Sequence, residues 1–428
     1  MRRRGLSSQA IAILVVVIIL LAAAIYLTQS GGGTKTTTPT TPATGTATTT
    51  TQEQATATGK KQVKVLVLFD VGGKGDLSFN DMAVLGAEKA KEELGVQIDY
   101  QTPASVDAMP SLLKSVSQSG EYDLIIGVGF LWLDPMVQVA PQFPNQKYAI
   151  IDAAPTETIP NVAAYVFREQ EVASLVGVLA ADIASNINST CAGAVAGMDI
   201  PPLWRFHIGY LYGIQYYNQH TGKNIDLGWV YVGDFQNPQL GKQTAQQMIS
   251  QGCRVLYGLA GLTHVGMFDA VKEANQQGVL AIAIGQDASQ EWYDPEHIIL
   301  SGLKRVDVAV YNAIEAVVKG EFKGGVHSLG LKEGALGISD PAIIKYFAGI
   351  AAKQGRLPQG LTPDDVVEIV MQKRQKYIDQ GAWDLVKQLE EAIKKGQMIF
   401  KSPATHDEYN QIIQALENGD LGAAVASG

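Results

Sequence analysis

Apolar strand-like runs alternate with helical stretches along most of this chain, and the series starts twice. Residues 63–70 (VKVLVLFD) form a continuous apolar run of the kind that a parallel strand buried on both faces requires. A glycine-rich turn follows, then a helix over 79–94, the strand VQIDYQ, a helix over 108–119 and the strand at 123–129. After a short helix come the strands KYAIID at 147–152 and VAAYVF, then a long helix over 170–185. The pattern restarts with AGAVAGM (192–198), a helix over about 202–218, DLGWVYVG (226–233) and a helix over 241–251. It continues with RVLYGLAG (254–261), a helix over 265–277 and VLAIAIG (279–285). Strict alternation means parallel, doubly wound sheets. Two such series predict an α/β protein of two lobes, 61–168 and 186–300, with a cleft and a hinge between them. Residues 298–320 read as a crossing strand and a helix that return the chain to the first lobe, which 305–345 complete. Beyond 346 the sequence is helical and charged to its end, an extension packed on the body.

The segment before residue 61 has a different character. Arg2, Arg3 and Arg4 precede an uncharged run from Gly5 to Ser30, long enough for the roughly 20 apolar residues that span a bilayer. Arginines on that side keep the N-terminus inside, so 1–30 is expected to be a signal or transmembrane anchor with the rest outside the cell. RRRGLSS is similar to the prepilin-like signals of archaeal surface receptors. No cysteine follows the run in the place where a lipid would attach. Residues 31–60 are dominated by threonine, which cannot build a core, and read as an extended spacer. The net charge of −9 without a basic block argues against a nucleic-acid partner.

Two cysteines occur, Cys191 and Cys253, each at or just before a strand of the second series. If those strands are neighbours the sulfurs meet, and an extracellular location permits a disulfide; two buried thiols are the alternative. Neither cysteine has metal-ligand spacing, and no cofactor motif is present.

In parallel sheets ligands bind beyond the carboxyl ends of the strands. There lie Asp70, Asp152 and Asp287, each ending an apolar run, where a buried carboxylate needs donors. Ser78 stands where it can cap the following helix, and it places Phe79 at the cleft mouth. Phe235 falls on the other lobe, and two rings across a cleft suit a flat heterocycle. Gly73-Lys74 is not a P-loop, no strand leads into Gly-x-Gly-x-x-Gly, and no Ser/His/Asp or Cys/His set is apparent. His207 and His264 are isolated, and the first, on an apolar helix, reads as structural. The clustered DxDxxxDD of a nucleoside hydrolase is absent, so an enzyme is disfavoured.

The blocks DVGGKGDLSFND, FREQEVASLVGVLAA, AGMDIPPLWRF, YVGDFQNPQLGK and SGLKRVDVAVY, in this order, resemble the basic membrane protein family, purine-nucleoside receptors of bacterial ABC importers. The resemblance implies the type I periplasmic binding protein fold, with three crossovers. It implies that Phe79 and Phe235 sandwich a base, with Asp70, Ser78 and Asn80 at its edge and Asp152 bonded to base or sugar. It further implies that Asp287, assisted by Lys304, accepts the ribose hydroxyls, and that Gly261 lets the sugar approach the backbone. The implied partners are a nucleoside and the importer's membrane subunits. Trp204, Trp292, the threonine spacer and the long C-terminal extension depart from the family pattern. A receptor for another polar solute, such as a sugar, would use the same fold and similar groups.

Overall fold

The computed structural model describes residues 62–426, so the apolar run at 1–30 and the spacer at 31–60 lie outside the described residues. Within the described residues no helix is long and apolar enough to cross a membrane.

The first lobe is built on β1 (Lys64–Leu68), β2 (Gln97–Gln101), β3 (Leu124–Val128), β4 (Lys147–Ile151) and β5 (Val162–Phe167), joined by α1 (Phe79–Leu94), α2 (Met109–Ser119) and α3 (Leu133–Val139). β1 and β3 are buried almost throughout, which is why they read as unbroken apolar runs, whereas β2 at the sheet edge is polar and part-exposed. The second lobe carries β6 (Cys191–Ala196), β7 (Asp226–Tyr231), β8 (Cys253–Leu259), β9 (Ile282–Asp287) and β10 (Ile298–Lys304), with α4 (Glu169–Asn186), α5 (Pro201–Thr221), α6 (Pro238–Ser250) and α7 (Thr263–Gln276). Then α8 (Val306–Lys319) returns to pack on α1, and β11 (Gly325–Leu329) extends the first sheet beside β5. β12 (Leu336–Ile338) goes back to the second sheet, antiparallel to β10. The orders are β11-β5-β4-β3-β1-β2 and β12-β10-β9-β8-β6-β7. The chain thus passes between lobes three times, after β5, after β10 and after β11.

Several local expectations shift. Residues 305–345 do not all return to the first lobe, because β12 pairs with Gly302–Lys304 of the second sheet. The strand expected at 279–285 begins at Ile282. Val279 still closes the helix end, its N–H bonding Ala274 O, and the Asn275 amide bonds both backbone groups of Ala281. At the start of α1, Asp76 rather than Ser78 caps the helix. Its carboxylate accepts the N–H groups of Ser78, Asn80 and Asp81 at 3.0, 2.9 and 3.1 Å.

α4 and α5 approach almost backbone to backbone. A Cβ on Gly213 would stand 2.1 Å from Ser174 O, and one on Gly177 2.3 Å from Tyr210 O. No side chain fits there. Cys191 and Cys253, paired in register between β6 and β8, form a disulfide. Replacing both by serine is expected to lower stability by about 2–4 kcal/mol through the loss of a long closed loop, read from denaturant unfolding.

The chain ends in α9 (Pro341–Lys353), α10 (Pro363–Tyr377), α11 (Gln380–Lys394) and α12 (His406–Glu417). They are tied to the body by specific contacts as well as by apolar faces. Buried Arg374 of α10 donates to Ile299 O (2.6 Å) and Ser339 O (2.7 Å) and pairs with buried Glu291. In α12, Tyr409 stacks on Trp204 at 5.4 Å, and its hydroxyl lies 2.6 Å from His207 Nδ1.

Candidate functional site

Between the lobes, at the carboxyl ends of both sheets, lies a slot. About 660 Å³ there is free of protein atoms, mouth included. This is room for one small molecule and not for a polymer. From the first lobe come Asp70 after β1, Phe79 and Asn80 at the start of α1, Gly129 after β3 and Asp152 after β4. From the second come Phe206 of α5, Phe235 after β7, Gly261 after β8, Gln286 and Asp287 ending β9, and Lys304 ending β10. Eight of the nine residues singled out in the sequence thus line one cavity. Ser78 is one step removed. Its hydroxyl donates across the cleft to Asp287 Oδ2 (2.6 Å) and to Gln286 O (3.1 Å), so it faces a carboxylate of the other lobe and not the space itself.

The strand ends explain why these groups converge. Asp152 and Asp287 stop β4 and β9 with φ of 78° and 70°, a left-handed conformation that aspartate tolerates better than most residues. The reversal turns each carboxylate away from the strand. Gly197 and Gly261 flank the Phe235 ring. A Cβ on Gly197 would meet it at 2.1 Å, so the ring rests directly on backbone.

The charges are paired differently from expectation. Lys304 Nζ does not bond Asp287; it lies 2.5 and 2.6 Å from the two oxygens of Asp152 and 2.9 Å from Glu169 Oε1. Arg205 Nε holds the other oxygen of Glu169 at 2.5 Å. Glu169 opens the first crossover helix and Lys304 precedes the second, so a buried ion network sits where the chain crosses between lobes. Lys304 also lies 5.3, 5.0 and 5.6 Å from the ring centres of Phe79, Phe167 and Phe206. Burial pushes Asp152 up to about 6 despite Lys304, and burial likewise raises Asp70 and Asp287. Burial would raise Glu169 too, but the charges of Arg205 and Lys304 hold it below the usual range. Asp76, which also lines the slot, is pushed up to about 7 by burial and by neighbouring Asp81.

At the far end, the Asn80 amide donates both hydrogens, to Asp70 Oδ1 (2.8 Å) and to Asp76 Oδ2 (3.1 Å). Its orientation is therefore set, and Asn80 Oδ1 is a buried acceptor with no partner among the described residues. The slot offers flat apolar walls, an unfilled acceptor and a surplus of carboxylates. No nucleophile–base pair is present among the groups that line it. The two histidines are structural: burial drives His207 down to about 3 and His264 to about 4, and His264 accepts the Ala260 N–H at 3.1 Å.

Sequence reasoning passed over Asp76, Glu169, Arg205, Phe206 and Gln286. Arg205 stands inside an apolar helical run, which is a signal that could have marked it, whereas Glu169 sits among polar residues at a helix start. Their pairing joins two neighbouring helices, α4 and α5, at positions 36 residues apart, and has no spacing in the chain to betray it.

A profile described as PnrA-like ABC transporter substrate-binding protein matches residues 63–360. An uncharacterized lipoprotein of Pyrococcus abyssi is 56% identical over 372 residues, 87% of this chain and 92% of that protein. Basic membrane protein A1 of Borrelia garinii subsp. bavariensis is 32% identical over 288 residues, 66% of this chain and 82% of its own. The crystal structure of an ABC transporter solute-binding protein from Aeropyrum pernix K1 superposes with a TM-score of 0.84 at 63% identity, covering 85% of this chain and all of that one.

Proposed function

The chain belongs to the PnrA-like family of ABC transporter substrate-binding proteins, and from that premise we propose that its solute is a purine nucleoside, held between Phe79 and Phe235. The family delivers small solutes to the membrane subunits of an importer and is not a family of enzymes. One observation carries the nucleoside reading. Phenylalanines from opposite lobes border a single slot, with an unpartnered acceptor, Asn80 Oδ1, at one end and buried carboxylates beyond it. A purine satisfies all three features: its faces pack against rings, its N–H groups reach Asn80 Oδ1 and Asp70, and its ribose hydroxyls donate to Asp152 or Asp287. Lys304 then orients Asp152, and Ser78 orients Asp287.

The charge balance restricts the solute further. Among the described residues at and beside the slot, Asp70, Asp76, Asp152, Glu169 and Asp287 outnumber Lys304 and Arg205, so a phosphate would enter a field of its own sign. Nucleoside monophosphates are therefore expected to bind about 100-fold more weakly than nucleosides, or worse. Calorimetric titration tests both statements. The body from residue 61 onward is unfolded and refolded to strip bound solute, then titrated with adenosine, guanosine, inosine, cytidine, uridine, ribose, free bases and the monophosphates. Tight binding confined to purine nucleosides supports the proposal; binding of ribose alone, or of none of them, sinks it.

We also infer that the apolar run before Ser30 anchors the protein, with the threonine-rich spacer holding the receptor off an outer surface. The Pyrococcus relative is named a lipoprotein, but this chain has no cysteine before Cys191 to carry a lipid. A detergent-soluble, membrane-fraction protein that becomes soluble when residues 1–30 are deleted is the expected result.

A further inference from the structure

The lobes are held together by more than the groups that face the slot. In the glycine-rich turn after β1, Leu77 takes φ of 57°, a left-handed conformation that costs energy for a residue with a branched side chain. Its side chain, 7% exposed, leaves its own lobe and joins a separate apolar cluster. The other buried members are Trp292 of the second lobe, Ile344, Ala348 and Ala351 of α9, and Val366 and Val370 of α10. Among the described residues Leu77 is the first lobe's only member of that cluster. A polar seat surrounds it: Gln290 Nε2, fully buried, donates to Leu77 O at 3.1 Å, and Ser78 of the same turn bonds Gln286 and Asp287. α10 lies beyond residue 360, where the family match ends.

We propose that Leu77 is a closing latch. Its insertion into the seat made by the second lobe with α9 and α10 favours the closed arrangement of the lobes whether or not solute is bound. The C-terminal helices thereby act in solute capture, because a receptor whose competent closed state is more populated binds its solute more tightly in the same proportion. The strained turn supports this assignment. A leucine is kept in a glycine-like conformation at the point where its side chain can reach the other lobe, and the same turn carries Ser78 across the cleft to Asp287.

The test measures closure directly. Spin labels on Lys114→Cys and Gln247→Cys, exposed positions on α2 and α6, report the distance between lobes, and the native cysteines stay in their disulfide. In solute-free protein, Leu77→Gly is expected to move the distance distribution toward longer separations. Glycine suits the turn, so folding is retained, which thermal unfolding checks. Leu77→Met, of similar volume, is expected to restore the shorter distance. Adenosine, the probe for affinity, is expected to bind Leu77→Gly roughly 10- to 100-fold more weakly, the scale of one buried leucine. An unchanged distance distribution in solute-free Leu77→Gly overturns the proposal, whatever the affinity does. The affinity arm alone rests on the nucleoside reading: if adenosine fails to bind wild type, that reading falls and the distance measurement still decides the latch.

Discussion

Truncating Phe79 or Phe235 to alanine is expected to weaken nucleoside binding by about 2–3 kcal/mol, roughly 30- to 150-fold, and truncating both by more. Each ring is only part-buried, so neither is a pillar of a core, and unfolding midpoints should move little. The Phe235 ring lies on the backbone of Gly197 and close to Gly261, which leaves it few ways to turn. Phe79 stands at the first position of α1, with Lys304 5.3 Å from its centre. A rigid, already positioned ring loses little freedom when a base packs against it, so its burial appears almost fully in affinity. Phe→Leu variants separate burial from ring geometry: leucine keeps most of the apolar area but not the flat face, and an intermediate affinity is expected. Calorimetry on the four single variants measures this. Wild-type affinity in both alanine variants would falsify the sandwich.

Lys304→Met should be the most destabilising single change in the slot. The ammonium is buried, with Asp152 and Glu169 in direct contact and Asp287 within reach of its field. Methionine fills similar space but leaves Asp152 a buried carboxylate without a cation, while Glu169 retains Arg205. Breaking a buried pair in this way costs about 3–5 kcal/mol. Asp152 then escapes part of the penalty by taking up a proton, so the loss should be smaller near pH 5 than near pH 8. The sign follows from its pKa, already raised by burial and raised further without Lys304. Urea unfolding of wild type and variant at both pH values checks this. A Lys304→Met, Asp152→Asn double variant should regain much of the stability while binding solute poorly. A single variant as stable as wild type would mean that the network is open to water.

The chain alone determined the architecture because parallel strands buried on both faces must be apolar end to end, and their alternation with amphipathic helices is written in order along the sequence. That pattern marks β1, β3, β4, β6 and β8, and it locates the strand ends, hence Asp70, Asp152, Gly261 and Asp287. It missed where the order is broken by side-chain bonds, as at Val279 and Ala281, and where a three-residue strand, β12, is too short to show a period. The helical character of the C-terminus was legible too, but not its attachment, since nothing local says that Arg374 reaches Glu291 or that α10 helps to seat Leu77.

Only the tertiary structure decided the pairing of charges and the roles within the turn after β1. Position placed Ser78 at a helix start, and the family resemblance alone placed Lys304 beside Asp287, but a cap or an ion pair goes to whichever partner three-dimensional proximity supplies. Asp76, four residues before Asn80, outcompeted Ser78 for the helix N–H groups. Asp152, 152 residues from Lys304 in sequence, took the ammonium that Asp287 was expected to share. Periodicity is a property of neighbours along the chain, whereas electrostatic partners in a buried site are chosen by distance and desolvation, which exist only once the lobes have met.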